Sequence, residues 1–261
     1  MSAPVAPLRW AEQSGPELRA LFADDPDCVA LIPIGATEQH GPHLPTGTDT
    51  IIATALADAL SGKGSAVVLP PLVLGASQWH GTVLGGTIAL TGAEVATLAD
   101  GYARWAVHTG VRKLLFVNGH VGNAAPLWLA CDQLRFSVGQ LAVGVLQWWN
   151  LNAAIAAEAV ADAEDWHANR AETSLMLAVA PELVRLDLAA TADEPDRSTE
   201  LVFRYGAGGL TRNGVTGSPS QASADLGARL WRDIVTAGRS VVAQARLERP
   251  PLTSADTEAS P

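Results

Sequence analysis

Residues 35–50 read GATEQHGPHLPTGTDT and put Glu38, His40, His43 and Asp49 on one short stretch punctuated by Gly and Pro. Side chains alternate along an extended segment, so Glu38 and His40, two positions apart, project to the same side and can share a target. Such a pair can equally form a hydrogen bond at the surface, and facing water is the ordinary fate of a polar turn. Mixed carboxylates and imidazoles suit Zn, Mn or Fe, whereas purely structural zinc sites favour thiolates. The stretch is therefore a candidate for holding a catalytic metal.

Three further segments offer the same chemistry. GASQWHG (75–81) carries Ser77, Trp79 and His80; NGHVGN (118–123) carries Asn118, His120 and Asn123; DWHANRAETS (165–174) carries Trp166, His167 and Glu172. Taken singly, each has a plainer reading: His120 as a hydrogen-bonded core histidine, His80 as packing. His43 and His108 read as structural, the latter because it falls late in a helix, where a cation favours the dipole. The combination is what points to chemistry. A carboxylate bridging two cations, flanked by imidazole and carboxylate ligands, is how two-metal hydrolases hold ions roughly 3.5–4 Å apart. Trp79, Trp148, Trp149 and Trp166 fall near strand ends or in these loops. They read as a flat aromatic wall for a planar or cyclic ligand, or, for Trp148 and Trp149, as cover for the sheet edge.

Elements that could position these residues are legible as apolar runs. CVALIPIG (28–35), SAVVLPPLVLG (65–75), KLLFVNGH (113–120) and LAVGVLQWWN (141–150) have the near-continuous hydrophobicity of strands covered on both faces. Helices are expected over 50–62, ending at Gly62; over 93–109, with Val95, Leu98, Tyr102 and Trp105 on one stripe; over 125–136; and over 224–248, with Leu226, Leu230, Ile234, Val241 and Ala245 at helical spacing. Strands alternating with helices predict an α/β class, a three-layer α/β/α arrangement with a mostly parallel sheet. Ligands bind such sheets outside the carboxyl ends of the strands, and the polar segments follow those ends. One domain is expected over 1–248, with the Pro-, Ser- and Thr-rich 249–261 as a disordered tail.

Composition narrows the partners. The formal net charge is −10 and Lys occurs only at 63 and 113, so a phosphate backbone is repelled and no nucleic-acid partner is expected. No run approaches the roughly 18–20 apolar residues of a membrane span, and the N-terminus lacks a signal-peptide pattern, so no membrane partner is expected either. Cys28 and Cys131 form no CxxC pair or disulfide framework, and the expected compartment is the reducing cytoplasm.

TEQHGPHLP (37–45), TDT (48–50), NGH (118–120) and ETSLML (172–177) stand in the order and spacing of the creatininase family. The chain resembles those metal-dependent amidohydrolases from about residue 28 to residue 240. The resemblance implies two divalent cations per subunit (Zn, Mn or Fe), with Glu38, Asp49 and His120 around one, and His40 with the shared Asp49 around the other. His167 then matches the histidine that handles substrate protons, and Glu172 the glutamate of the ETS motif. One departure is Gly122, where creatinine amidohydrolase has a glutamate that binds the second metal. Family members reading NGHxGN use the ETS glutamate instead, so Glu172 is the expected replacement, and the likeness shifts toward formamide hydrolases and the mycofactocin-system peptidase. The segment GASQWHGTVLGGT also departs from the family's GASGEH and FPGT, so Ser77, Trp79, His80 and Trp166 are expected to shape the substrate pocket. The expected activity is hydrolysis of a small linear or cyclic non-peptide amide by metal-activated hydroxide. Two alternatives are a mycofactocin-type peptidase releasing a short peptide from a modified precursor, and a non-catalytic metal-binding scaffold. The family also implies a homohexamer.

Overall fold

Val29–Ile34 forms strand β1 and is buried along its whole length, in a computed structural model that describes residues 6–62, 65–81 and 83–251. Its alternate residues serve opposite faces, as strand geometry requires. Ala30, Ile32 and Ile34 join Leu18, Phe22, Val95, Ala99, Leu127 and Leu134 in one core. Val29 and Leu31 join Ile52, Leu56, Leu175, Leu230 and Ile234 in the other. Strands β2 (Ala66–Val68), β3 (Lys113–Asn118) and β4 (Ala142–Gln147) complete a sheet ordered β2-β1-β3-β4, with every neighbouring pair parallel. Helices α1 (Gly15–Asp24), α3 (Gly92–Thr109) and α4 (Ala124–Ser137) supply the first core. Helices α2 (Thr48–Leu60), α5 (Ala153–Ala159), α6 (Arg170–Val179) and α7 (Ala224–Leu247) supply the second. This is the three-layer α/β/α arrangement expected.

Two expectations need correction. The run 65–75 is not one strand: β2 stops at Val68, and after Pro70 and Pro71 only an isolated bridge between Ile34 and Leu72 continues the pairing. Proline has no N–H to give to a ladder, so two in succession end the strand. In α3 the buried face is Val95, Ala96, Ala99, Ala103 and Ala106, not the stripe through Leu98 and Trp105, and Trp105 is 75% exposed. Small side chains let this helix pack closely against α4, and Leu98 and Trp105 are left exposed. Residues 249–251 belong to no helix or strand, and 252–261 lie outside the described residues.

The last helix is held by a buried cation. Lys113 Nζ donates to the carbonyls of Ala245 (2.8 Å), Arg246 (2.6 Å) and Glu248 (3.0 Å), which answers the unpaired carbonyls and negative dipole end of α7. Among the described residues no helix is long and apolar enough to cross a membrane.

The carboxyl edge of the sheet meets the N-terminus of α2 at Gly119. A β-carbon there would lie 2.1 Å from the Asp49 carbonyl oxygen, so only glycine permits this approach. Gly119→Ala should therefore overpack the junction and cost about 1–3 kcal/mol of stability, read as a lowered Tm in thermal denaturation. An unchanged Tm would show that the junction is not tight.

Candidate metal centre

Four segments converge at that edge, and hydrogen bonds lock them to one another. Asn123, just before α4, donates from Nδ2 to the Gly35 carbonyl (2.9 Å) and accepts at Oδ1 from the Ala76 N–H (2.9 Å). It thereby ties the loops after β1, β2 and β3 together. Ser77 Oγ donates to Glu38 Oε2 at 2.7 Å. The fourth segment is fixed by the start of α6: the Glu172 N–H donates to the cap residue Asn169 (3.0 Å), and Asn169 Nδ2 donates to Asp162 (2.8 Å). The Ala168 N–H, from a residue in the left-handed region at φ +50°, donates to Glu172 Oε2 at 2.7 Å.

Asp49, in the first turn of α2, sits at the centre. Its Oδ1 lies 3.1 Å from His40 Nε2 and its Oδ2 lies 3.2 Å from His120 Nδ1. Oδ2 is buried and has no hydrogen-bond partner. Glu38 Oε2 is 3.2 Å from the same His120 Nδ1, and Glu172 Oε1 is 3.8 Å from His40 Nε2. Tautomers follow from the far side of each ring. His40 Nδ1 donates to the Glu38 carbonyl (2.9 Å), leaving Nε2 with its lone pair toward the carboxylates. His120 Nε2 faces the Ala76 carbonyl (3.4 Å) and Ser77 Oγ (3.2 Å), leaving Nδ1. Outer hydrogen bonds of this kind orient metal-ligating imidazoles. Ligand atoms around a tetrahedral ion with bonds of 2.0–2.2 Å stand about 3.4 Å apart, so the donors and their spacing fit divalent cations. Three overlapping groups result among the described residues: Glu38, Asp49 and His120; His40, His167 and Glu172; and Glu38, His80 and His167.

The electrostatics agree. Burial alone would push Glu38 up, but the charge of the His120 imidazole, the largest opposing cause, outweighs it and holds the carboxyl well below its ordinary value. Burial is likewise outweighed at Asp49 by His40 and His120, which bring it to about 2. His40 is raised well above its usual range and His120 to about 9, in each case because facing carboxylates overcome burial. Glu172 goes up, since burial and the Asp49 charge exceed the help from His40 and the Ala168 N–H. Burial and the neighbouring His40 lower His167 to about 3.

Not every candidate faces this centre in the same way. His167 Nε2 donates to the Gln39 carbonyl at 2.8 Å and lies 3.8 Å from Glu38 Oε1. His80 Nδ1 is 3.0 Å from the same oxygen. Ser77 is buried against Glu38 rather than turned to an open pocket. Trp79 stands on a one-turn helix, Gln78–Gly81, and is 57% exposed. Trp148 is fully buried, with the partly buried Trp149 and Trp166 packed on it at 5.9 and 5.4 Å, so these three form one aromatic cluster. His43 is structural, joined through Nε2 to Thr173 Oγ1 at 2.8 Å, and His108 lies edge-on to Trp105. Sequence reasoning passed over Gln39, whose carbonyl holds His167 and whose side chain reaches His80 at 2.8 Å. Its position inside TEQHG was the available signal.

A parallel α/β/α sheet with carboxylates and imidazoles gathered at its carboxyl edge has the donor set of a metal-binding protein. Comparison with known proteins makes the class specific. Residues 11–242 match the family described as creatininase, creatinine amidohydrolase. The mycofactocin precursor peptide peptidase of Mycobacterium ulcerans is 34% identical over 216 residues, 78% of this chain and 80% of that protein. Creatinine amidohydrolase of Pseudomonas putida is 32% identical over 198 residues, 70% of this chain and 74% of that protein. A crystal structure of creatinine amidohydrolase superposes with a TM-score of 0.81 at 28% identity, covering 96% of this chain and 100% of the other. The chain belongs to the creatininase family, and is a hydrolase of carbon–nitrogen bonds.

Protons and cations compete for this site. In chelator-treated protein the imidazolium–carboxylate pairs stabilise the fold fully below the ordinary histidine value of 6.5, and that stabilisation is lost as pH rises through about 9 for His120. The Tm of chelated protein should therefore fall across that window, while zinc-saturated protein, in which cations replace the protons, should not lose stability there. A flat profile for the chelated protein would contradict the pairing.

Proposed function

We propose that the chain is a dinuclear metal-dependent amidohydrolase, with Glu38, Asp49 and His120 holding one cation and His40, Asp49 and Glu172 the other. The observation that carries this reading is the Asp49 carboxylate, with Oδ1 and Oδ2 facing ring nitrogens of two different histidines at 3.1 and 3.2 Å. Divalent cations held there would polarise an amide carbonyl and acidify water. Zn, Mn and Fe all suit the donors.

Glu172 is preferred as the remaining ligand because position 122 has no room for one. A β-carbon on Gly122 would lie 2.5 Å from both the Ala76 carbonyl oxygen and His120 Nε2. Glu172 instead faces His40 from a capped helix start, with Oε2 tied to the Ala168 N–H, so its Oε1 is free to bind. The chain's other task is proton traffic. Burial keeps His167 neutral, and with Nε2–H on the Gln39 carbonyl its lone pair is on Nδ1. That nitrogen takes up a proton and returns it to the leaving amine nitrogen.

The substrate we favour is a small linear or cyclic amide. A second reading, release of a short peptide from a modified precursor, draws support from the 34% identity to a mycofactocin precursor peptide peptidase and from the absence of a ligand at Gly122. A cytoplasmic homohexamer remains part of the proposal on family grounds. The non-catalytic scaffold reading falls away with membership of a hydrolase family.

Two variants test the assignments. Glu172→Gln should bind about one metal ion per chain instead of two, counted by emission spectroscopy after dialysis; two tightly held ions with only a lowered Tm would reduce Glu172 to a helix-start residue. His167→Ala should keep its metal and hydrolyse formamides, creatinine or precursor-derived peptides about 10²–10⁴-fold more slowly than the parent. Loss of a metal equivalent in that variant, with the rate recovered at high metal concentration, would make His167 a ligand instead.

A further inference from the structure

Glu38 has one oxygen that the proposed metal pair does not use. Its Oε2 accepts from Ser77 and faces His120, whereas Oε1 faces His80 Nδ1 at 3.0 Å and His167 Nε2 at 3.8 Å. Both histidine side chains reach solvent, at 19% and 15% exposure, while those of Glu38, His40, Asp49 and Glu172 are almost wholly buried. The three groups therefore stand on the open side of the centre, and together they offer one carboxylate and two imidazole donors.

The protonation of His80 can be read from Gln39. The Gln39 amide is oriented by the Gly41 N–H, which donates to its Oε1 at 3.0 Å, so Nε2 points to the Gly214 carbonyl (3.3 Å) and to His80 Nδ1 (2.8 Å). An amide nitrogen only donates. His80 Nδ1 must then accept, and it has no proton to give to Glu38. A ring lone pair and a carboxylate oxygen 3.0 Å apart with no proton between them repel, and a cation between them removes the conflict.

We propose that Glu38 Oε1, His80 Nδ1 and His167 Nε2 form a third divalent-cation site, weaker than the two beneath it, whose occupation silences His167. The silencing clause rests on the proton role given to His167 above. The site is weaker because a cation there must break two hydrogen bonds to Gln39, the 2.8 Å bond from His167 Nε2 to its carbonyl and the 2.8 Å bond from its side-chain amide to His80 Nδ1. It silences because the displaced ring proton moves to Nδ1 and takes the lone pair that would accept a proton during turnover. Excess zinc would thus act as an inhibitor through the same carboxylate that helps hold the catalytic pair.

Equilibrium dialysis of the full chain against rising Zn²⁺ should give about two tightly held ions per chain and then about one more at higher concentration. His80→Ala should keep the first two and lose the third. Anomalous diffraction at the zinc edge, from crystals soaked in excess Zn²⁺, should put the additional peak about 2.1 Å from His80 Nδ1; this measurement decides the matter even if the variant does not fold. Saturation at the first two ions, or a third that survives His80→Ala or binds elsewhere, overturns the third site and leaves the proposed function standing. Failure to bind the first two overturns both.

Discussion

The buried carboxylate of Asp49 is the constraint around which this edge of the molecule is built. A carboxylate taken out of water costs several kcal/mol unless positive charge and hydrogen bonds replace the solvent. Here the compensation comes from the N-terminus of α2, whose dipole favours an anion in its first turn, and from His40 and His120 on either side. Yet Oδ2 remains without a hydrogen bond. That oxygen faces an imidazole nitrogen at 3.2 Å, and a divalent cation that displaces the ring proton would bind to both.

Bringing Asp49 into position explains much of the surrounding sequence. The chain must pass from the end of β1 to the start of α2 in a turn that also presents Glu38 and His40, and β3 must end close enough for His120 to reach the same carboxylate. Gly119 permits the second approach, and Asn123 locks the loops together. Helix α6 presents Glu172 from its first turn, fixed by Asn169 and Asp162. Asp49 and Glu172 stand in the first turn of a helix and His120 just past the end of a strand, while Glu38 and His40 are presented by the turn between β1 and α2.

Much of this was legible in the sequence because the apolar runs of β1 and β3 are bounded by motif residues, so the order of strand, turn and helix could be read directly. The type and position of Glu38, His40, Asp49, His120 and Glu172 put them among the candidates, and the resemblance to the creatininase family marked them as the expected ligands. What misled was local composition that tertiary packing overrides. The run 65–75 is apolar enough for one long strand, but Pro70 and Pro71 cannot pair. In α3, Leu98 and Trp105 lie at helical spacing, but it is the alanine face that enters the first core. Nor could spacing reveal Gln39 as the residue between His80 and His167, since its role depends on a chain reversal that brings position 214 against it. The four tryptophans divide in the same way: three pack together and Trp79 stands apart.

The central claim is that a single carboxylate serves two cations. Substituting Asp49→Asn removes the charge and keeps the shape, so metal content per chain, measured after gel filtration of zinc-reconstituted protein with its fold checked by circular dichroism, tests that claim most directly. A folded protein retaining less than about one ion per chain is the predicted result, because both sites lose their shared anion at once. A folded Asp49→Asn protein that still holds about two ions would contradict the bridging role and the account built on it.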